Sequence, residues 1–319
     1  MRVRFWGVRG SFPVPGPSTN RYGGNTSCVQ LSPDNGSVLI IDAGTGIRRL
    51  GKELMTRPAF RGGQGVIHLL ISHTHWDHIQ GLPFFAPLYV KGNQINIYAR
   101  QRDVDLADIF CSQTQDPYFP VGLDEVAAQV TYTDLSDGAR FNAGGVQVRC
   151  TRLNHPFIAI GYRVDADGTS VAYISDTAPF ESIVLEHEYI PSRPNIEGPP
   201  RESEAQKLEA MKRGVVELCR DCELVIYDTM FRPDEYQARP HWGHSCPEHA
   251  LEIAKTAGAA CLALFHHAPE RSDEQVDAEL ARAQAAADGC RVVAAAEGME
   301  LEVAPRERRA PPTRREGRR

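Results

Sequence analysis

Three histidines and an aspartate crowd into one short stretch, His73, His75, Asp77 and His78, directly after the apolar run Val66 to Ile71. Imidazole nitrogens and carboxylate oxygens are the donors that a divalent ion such as zinc accepts. The apolar run reads as a buried strand. Positions two apart leave an extended segment on the same side, so His73 and His75 can grip one cation together. Asp77 and His78 are then free to hold a second ion nearby, as the chain turns into a helix expected near Ile79. Further donors recur where other apolar runs end: His155 in Leu-Asn-His-Pro, Asp176 in Ile-Ser-Asp-Thr and His266 in Leu-Phe-His-His. Recurrence at strand ends separates this pattern from a loop that is merely rich in histidine.

Those donors must be carried by a layered framework. Strands are expected at Arg2 to Phe5, Thr26 to Leu31, Val38 to Ile41, Ile95 to Ala99, Val130 to Thr133, Val146 to Leu153, Ile158 to Val164, Ser170 to Ile174, Leu224 to Tyr227 and Cys261 to Phe265. Two turn signals, Asp137-Gly138 and Asp167-Gly168, separate successive strands as hairpins would. Helices are expected after Asp42-Ala43-Gly44-Thr45-Gly46, over Glu202 to Cys219, over Pro247 to Ala257 with Ser245 as its cap, and from Ser272 to Ala287. The glycine-rich turn at 42 to 46 lacks the Lys-Ser/Thr of a Walker motif and is read as structural, with no organic cofactor implied. Periodicity alone specifies a mixed α and β layered domain.

The 319 residues, 42% hydrophobic and 24% charged, are ordinary for a globular enzyme. A net charge of -6 argues against a surface built wholly for nucleic acid. The chain enters a strand at once, without a signal-peptide core, and no apolar run approaches the roughly 20 residues that span a bilayer; a cytoplasmic location and no membrane partner are the expectation. Eight cysteines lack a disulfide spacing, and the lone pair Cys219 and Cys222 has no second pair to complete a zinc site. Residues 186 to 202 read as a proline-rich irregular insertion. The stretch 304 to 319, rich in arginine and proline, reads as a disordered tail behind a single domain of residues 1 to 303.

His-x-His-x-Asp-His after an apolar strand resembles the signature of the metallo-β-lactamase superfamily, and His155, Asp176 and His266 match its remaining ligands in order. The resemblance implies an α/β fold, the αββα sandwich of two packed mixed sheets flanked by helices. It implies two divalent metal ions, zinc first and manganese or iron as alternatives: His73, His75 and His155 on one, Asp77, His78 and His266 on the other, Asp176 bridging. Two such ions about 3.5–4 Å apart share an activated hydroxide and clamp a phosphoryl or acyl oxygen. Asp42 is the expected acceptor for a ligand's second ring nitrogen. Gly243-His244-Ser245 is similar to the histidine motif of the RNase Z-like phosphodiesterase branch, which makes His244 a proton donor to the leaving oxygen and Asp228 the acid that orients it. Asp77, His244 and Asp228 are therefore the expected catalytic residues.

Only twenty residues separate His155 from Asp176, which leaves no room for the protruding arm of the tRNA-processing enzymes. The opening Phe5-Trp6-Gly7-Val8-Arg9-Gly10-Ser11 and Tyr22-Gly23-Gly24-Asn25-Thr26-Ser27 look closer to members acting on small cyclic phosphates. A hydrolase for a small cyclic phosphate diester, such as a 3′,5′-cyclic nucleotide, is the leading expectation. A ribonuclease acting on RNA 3′ ends, a thioester or lactone hydrolase of the same superfamily, and a metal-holding interaction domain are the alternatives. A homodimer is left open.

Overall fold

Fourteen strands form among the described residues of the computed structural model, which are 1–102, 104–182, 184 and 202–306. In chain order they are β1 (Arg2–Gly7), β2 (Cys28–Ser32), β3 (Val38–Ile41), β4 (Val66–Leu70), β5 (Gln94–Arg100), β6 (Gln129–Leu135), β7 (Arg140–Ala143), β8 (Val146–Arg152), β9 (Ile160–Ala166), β10 (Thr169–Ile174), β11 (Leu224–Asp228), β12 (Cys261–Phe265), β13 (Arg291–Ala294) and β14 (Glu300–Glu302). They make two seven-stranded mixed sheets, ordered β14-β1-β2-β3-β4-β5-β6 and β13-β12-β11-β10-β9-β8-β7.

Side-chain alternation explains why these sheets stack. Val3, Phe5, Leu39, Ile41 and Leu70 of the first sheet pack against Val148, Tyr162, Tyr173, Ile226 and Phe265 of the second. Ile67 and Leu69 point the other way, onto Ile47, Leu50 and Leu54 of the helix Ile47–Leu54. Val225, Tyr227 and Leu262 likewise face Val215 and Leu251 of the helices Glu202–Cys219 and Pro247–Thr256. Central strands covered on both faces read as apolar runs, which is why β12 and the stretch Leu224 to Tyr227 of β11 read as buried strands, whereas β4 carries the half-buried His68 among its apolar residues. The result is the expected αββα sandwich.

Strand direction then fixes where the donors go. Strands β3 to β6 run parallel, and so do β10 to β13. Strand β8, two antiparallel steps from β10, shares that direction. The loops carrying Asp42, His73 to His78, His155, Asp176, Asp228 and His266 therefore all leave from C-terminal strand ends. Tyr162 and Tyr173 tie the sheets together there, donating to Ile71 O at 2.7 Å and to Asp42 Oδ2 at 2.7 Å.

Several local expectations are corrected. Asp137-Gly138 is not a hairpin turn, because β6 and β7 lie in different sheets and the turn carries the chain across the sandwich. The hairpin is β7–β8, closed by Gly144 and Gly145, both at positive φ. Strand β9 starts at Ile160 rather than Ile158, since Phe157 and Ile158 adopt left-handed backbone at φ 63 and 76. The helix after the metal loop is the short Trp76–Ile79. Ser245 does not cap the helix Pro247–Thr256; Cys246 occupies that position without a side-chain bond, and Ser245 Oγ pairs with His249 Nδ1 at 2.7 Å. Ser272 does cap the helix Asp273–Ala285, accepting from Gln275 N. The insertion and the tail fall, apart from Glu202 and 304–306, outside the described residues. No helix among the described residues is long and apolar enough to cross a membrane.

Candidate metal centre

All seven expected ligands meet at one edge of the sandwich. His73, His75, His155 and Asp176 form one donor group, and Asp77, His78, Asp176 and His266 a second, so that Asp176 belongs to both. Its two oxygens divide between them. Oδ1 lies 3.2 Å from His78 Nε2 and 3.3 Å from His266 Nε2, while Oδ2 lies 3.6 Å from His73 Nε2 and 4.0 Å from His155 Nε2. His75 Nδ1 is 3.1 Å from His155 Nε2, and Asp77 Oδ2 is 3.1 Å from His266 Nε2. Ligands on one tetrahedral ion with bonds of about 2.0–2.2 Å sit roughly 3.3–3.6 Å from each other. Most of the observed separations fall near that edge length.

Polar satisfaction supports the same fit. His73 Nε2 and His78 Nε2 are fully buried nitrogens without a hydrogen-bond partner, which native interiors rarely tolerate unless an ion or catalytic role explains them. On His73, His78 and His155 the opposite ring nitrogen is engaged. His78 Nδ1 donates to Asp42 Oδ2 at 2.8 Å, His155 Nδ1 to Gly243 O at 2.9 Å, and His73 Nδ1 lies 3.1 Å from Ser72 Oγ. This is the outer support that orients metal-binding imidazoles. Asp42, wholly buried, also accepts from Ser72 N, Ser72 Oγ and Tyr173 OH. Gly10 and Gly243 permit close approach: a Cβ at either would lie 2.5 Å or 2.3 Å from the ring of His266 or His155.

The electrostatics call for cations. Burial pushes the His73 imidazole well below its ordinary value, lowers His75, and drives His155 down to about 3, so all three stand neutral and ready to ligate. His78 goes the other way. Burial opposes its proton, but Asp77, Asp176 and Asp42 outweigh burial and raise its pKa well above the usual range. Burial alone would raise Asp77 and Asp176, yet His78 and His266 hold both well below the carboxylate range. A proton on His78 thus stands where converging carboxylates demand positive charge, a place a divalent ion would fill with release of that proton.

His244 and Asp228 sit beside these groups. Asp228 Oδ2 accepts from His244 Nδ1 at 3.1 Å and from the backbone of Thr177 and Ser245, and its Oδ1 accepts from Met230 N. His244 Nδ1 is 3.8 Å from Asp176 Oδ2, and the His244 and His266 rings stack with centroids 5.2 Å apart. Burial lowers the His244 pKa, but Asp228, with Asp176 and Asp77 behind it, reverses this and lifts it to about 9. Asp176, Asp228, His244 and His266 also form a donor group, so geometry alone admits His244 as a ligand. Its bond to Asp228 and its high pKa instead suit a proton-holding imidazolium. His267, the neighbour that could be mistaken for His266, turns away to Ala295 O at 2.9 Å.

Sequence reasoning missed Ser72, Tyr173 and Ser11, whose backbone N donates to Asp77 Oδ2 at 2.8 Å. Ser72 adjoins His73, but its bonds to Asp42, like those of Tyr173 to Asp42 and Ser11 to Asp77, join distant segments and carry no signal in the chain.

The chain is similar to several known proteins. A family model described as a β-lactamase superfamily domain matches residues 38–191. A ribonuclease Z of Haloarcula marismortui is 27% identical, over 95% of this chain and 97% of its own length. Among solved structures, the short form of human tRNase Z aligns with a TM-score of 0.60 at 20% identity, covering 95% of this chain and 100% of that one. A diphosphatase from the PhnP family aligns at 0.61 and 17%, covering 95% and 98%.

Proposed function

We propose that the chain is a metal-dependent hydrolase of the metallo-β-lactamase superfamily, on its RNase Z-like branch, and that it cleaves small cyclic phosphate diesters, 3′,5′-cyclic nucleotides among them. His73, His75 and His155 would hold one ion, Asp77, His78 and His266 the other, and Asp176 both. When bound, the ions supply an activated water and positive charge for the phosphoryl oxygens. Zinc suits a donor set so rich in imidazole, with manganese or iron as alternatives.

The observation that carries the phosphodiester reading is the His244–Asp228 pair, 3.1 Å apart at the rim of the donor groups. Cleaving a diester expels an alkoxide, a strong base that leaves readily only if protonated. Asp228 holds His244 in its charged form, with Nδ1 committed and the second ring nitrogen free for the leaving oxygen. Asp77 is assigned as ligand and as acceptor of the water's proton.

Small size is favoured by the β9–β10 hairpin, which takes up the chain between His155 and Asp176 so that no arm is inserted there. The second reading is a ribonuclease on RNA 3′ ends, favoured by the near-full-length likeness to a ribonuclease Z. The test incubates metal-loaded protein with bis(p-nitrophenyl) phosphate, a panel of cyclic nucleotides and a precursor tRNA, and measures metal content in parallel. We expect about two ions per chain, loss of activity on chelation, and higher kcat/KM on a cyclic nucleotide than on the precursor. Faster cleavage of the precursor would replace the first reading with the second, and full turnover in chelator would remove both.

A further inference from the structure

We propose that a cavity beside the metal centre seats the base of a nucleotide substrate, with Phe157 as its stacking platform and Arg102 as the reader of a guanine edge. This rests on the phosphodiester reading and adds the part of the substrate that is not cleaved.

The cavity, of about 590 Å³, is lined by Arg100, Gln101, Arg102, Val104, Phe157 and Ile158. Such a volume lies within the range of small-molecule sites. Strand β5 runs parallel to β4, so the residues following Arg100 leave the sheet at the edge that also releases His73 to His78. The Phe157 ring stands edge-on to that of His75, centroids 5.9 Å apart. The cavity therefore shares a wall with the donor groups.

Phe157 is 45% exposed, although it follows the buried His155 by only two residues. It is held out rather than left loose. Phe157 and Ile158 both take left-handed backbone, rare for L side chains and rarer for a β-branched one. The turn is pinned at its ends, where Leu153 N donates to Ala159 O and Ile160 N to Ser72 O, each at 3.0 Å. Backbone strain of this kind concentrates where a side chain must be presented to a ligand.

The two arginines differ in what they have left to give. Arg100 is spent, with Nε on Asp137 Oδ1 at 2.8 Å and Nη1 on Gln101 O at 3.1 Å. Arg102 is partly buried, and no acid or carbonyl among the described residues takes its N–H groups; burial alone acts on its pKa, downward. A planar fork of donors half removed from water calls for an acceptor. A bare phosphate would supply one but would leave Phe157 and Val104, the latter 55% exposed, against a hydrated anion. A flat base with acceptors on one edge satisfies both walls. Guanine offers O6 and N7 to a guanidinium side by side, whereas adenine presents a donor at the first position.

The test is calorimetric binding of guanosine 5′-monophosphate, adenosine 5′-monophosphate and ribose 5-phosphate to the zinc-loaded full chain and to its Phe157→Leu and Arg102→Met variants. Wild type should prefer the guanine over the adenine nucleotide by roughly 5- to 150-fold. Phe157→Leu should weaken both nucleotides by roughly 5- to 150-fold, with ribose 5-phosphate nearly unchanged. Arg102→Met should erase the guanine preference. Equal binding of all three ligands by wild type, or equal weakening of all three in the variants, overturns the proposal. Because binding is read without turnover, base-dependent affinity in a protein that hydrolyses no diester would leave the pocket standing and refute the phosphodiesterase reading instead.

Discussion

Replacing His244 with alanine separates proton transfer from metal holding. The variant removes none of the seven ligands, so metal content should stay at that of wild type. For a diester with a strongly basic leaving group, kcat should fall roughly 10²–10⁴-fold, the usual worth of a positioned acid. A p-nitrophenolate leaving group hardly needs a proton, and the same variant should lose far less on it. The structure also sets the pH limb. A pKa of about 9 would keep His244 protonated at neutral pH. Asp176 and Asp77, two of the acids that raise it, would be neutralised by bound ions, so the alkaline limb of the loaded enzyme should fall below 9. Asp228 is then the charge that still opposes burial. Asp228→Asn should bring the limb to the ordinary value of roughly 6.5 or lower, leaving at most about a quarter of the imidazole protonated at pH 7. That predicts a loss of at least about fourfold on the basic leaving group, recovered as the pH is lowered. Steady-state kinetics on both substrates across pH, with elemental analysis of each variant, makes the test. Equal losses on the two substrates refute the acid role, and loss of an ion from His244→Ala makes His244 a ligand.

Loading zinc at pH 7 should release about one proton from His78, which Asp77, Asp176 and Asp42 hold charged; titrations in buffers of different ionisation enthalpy would show it, and no release would remove His78 from the ligands. Asp42→Asn cannot accept the four bonds that Asp42 takes from Ser72, His78 and Tyr173, and should weaken metal affinity about 10- to 100-fold; competition with a chelator reads this, and unchanged affinity would refute the supporting role. His267 is buried, and burial drives its pKa to about 3. Below pH 6.5 the unfolded chain takes up a proton there that the folded chain refuses, so stability complete above 6.5 is lost as pH falls toward 3, by up to about 1.4 kcal/mol per pH unit. Urea unfolding across pH should give a shallower slope for His267→Gln, and equal slopes would refute the assignment.

Much of the site was legible because its chemistry is local. His73, His75, Asp77 and His78 lie in one loop, and the strands that deliver Asp176 and His266 are largely buried apolar runs, while the strand that delivers His155 shows the alternation of a half-buried strand. What was not legible depends on which distant segment a residue meets. Asp137-Gly138 has the composition of a hairpin turn, but turn chemistry does not say whether the next strand joins the same sheet, and β7 enters the opposite sheet and pairs there with β8. Ser245 has the type of a helix cap, yet Asp228 claims its backbone N–H and His249 its hydroxyl. Strand β14 pairs with β1 from the far end of the chain, a contact without a local signal.

The hardest feature to read is the backbone of the site itself. Asp42 and His266 both sit at left-handed φ, 60 and 61. Aspartate and histidine tolerate that region better than most non-glycine residues, so type alone permits the turn without requiring it. What requires it is the destination. Asp42 must leave β3 and turn under the loop to accept from Ser72 and His78, and His266 must leave β12 and turn over Gly10 to face Asp77. Both turns are fixed by backbone from elsewhere in the chain: Asp42 N donates to Leu70 O at 2.9 Å, and the residue after His266, His267, donates to Val8 O at 2.9 Å. One bond comes from the neighbouring strand β4 and the other from the segment just beyond β1 of the opposite sheet, so the donor geometry forms only once the sandwich has closed.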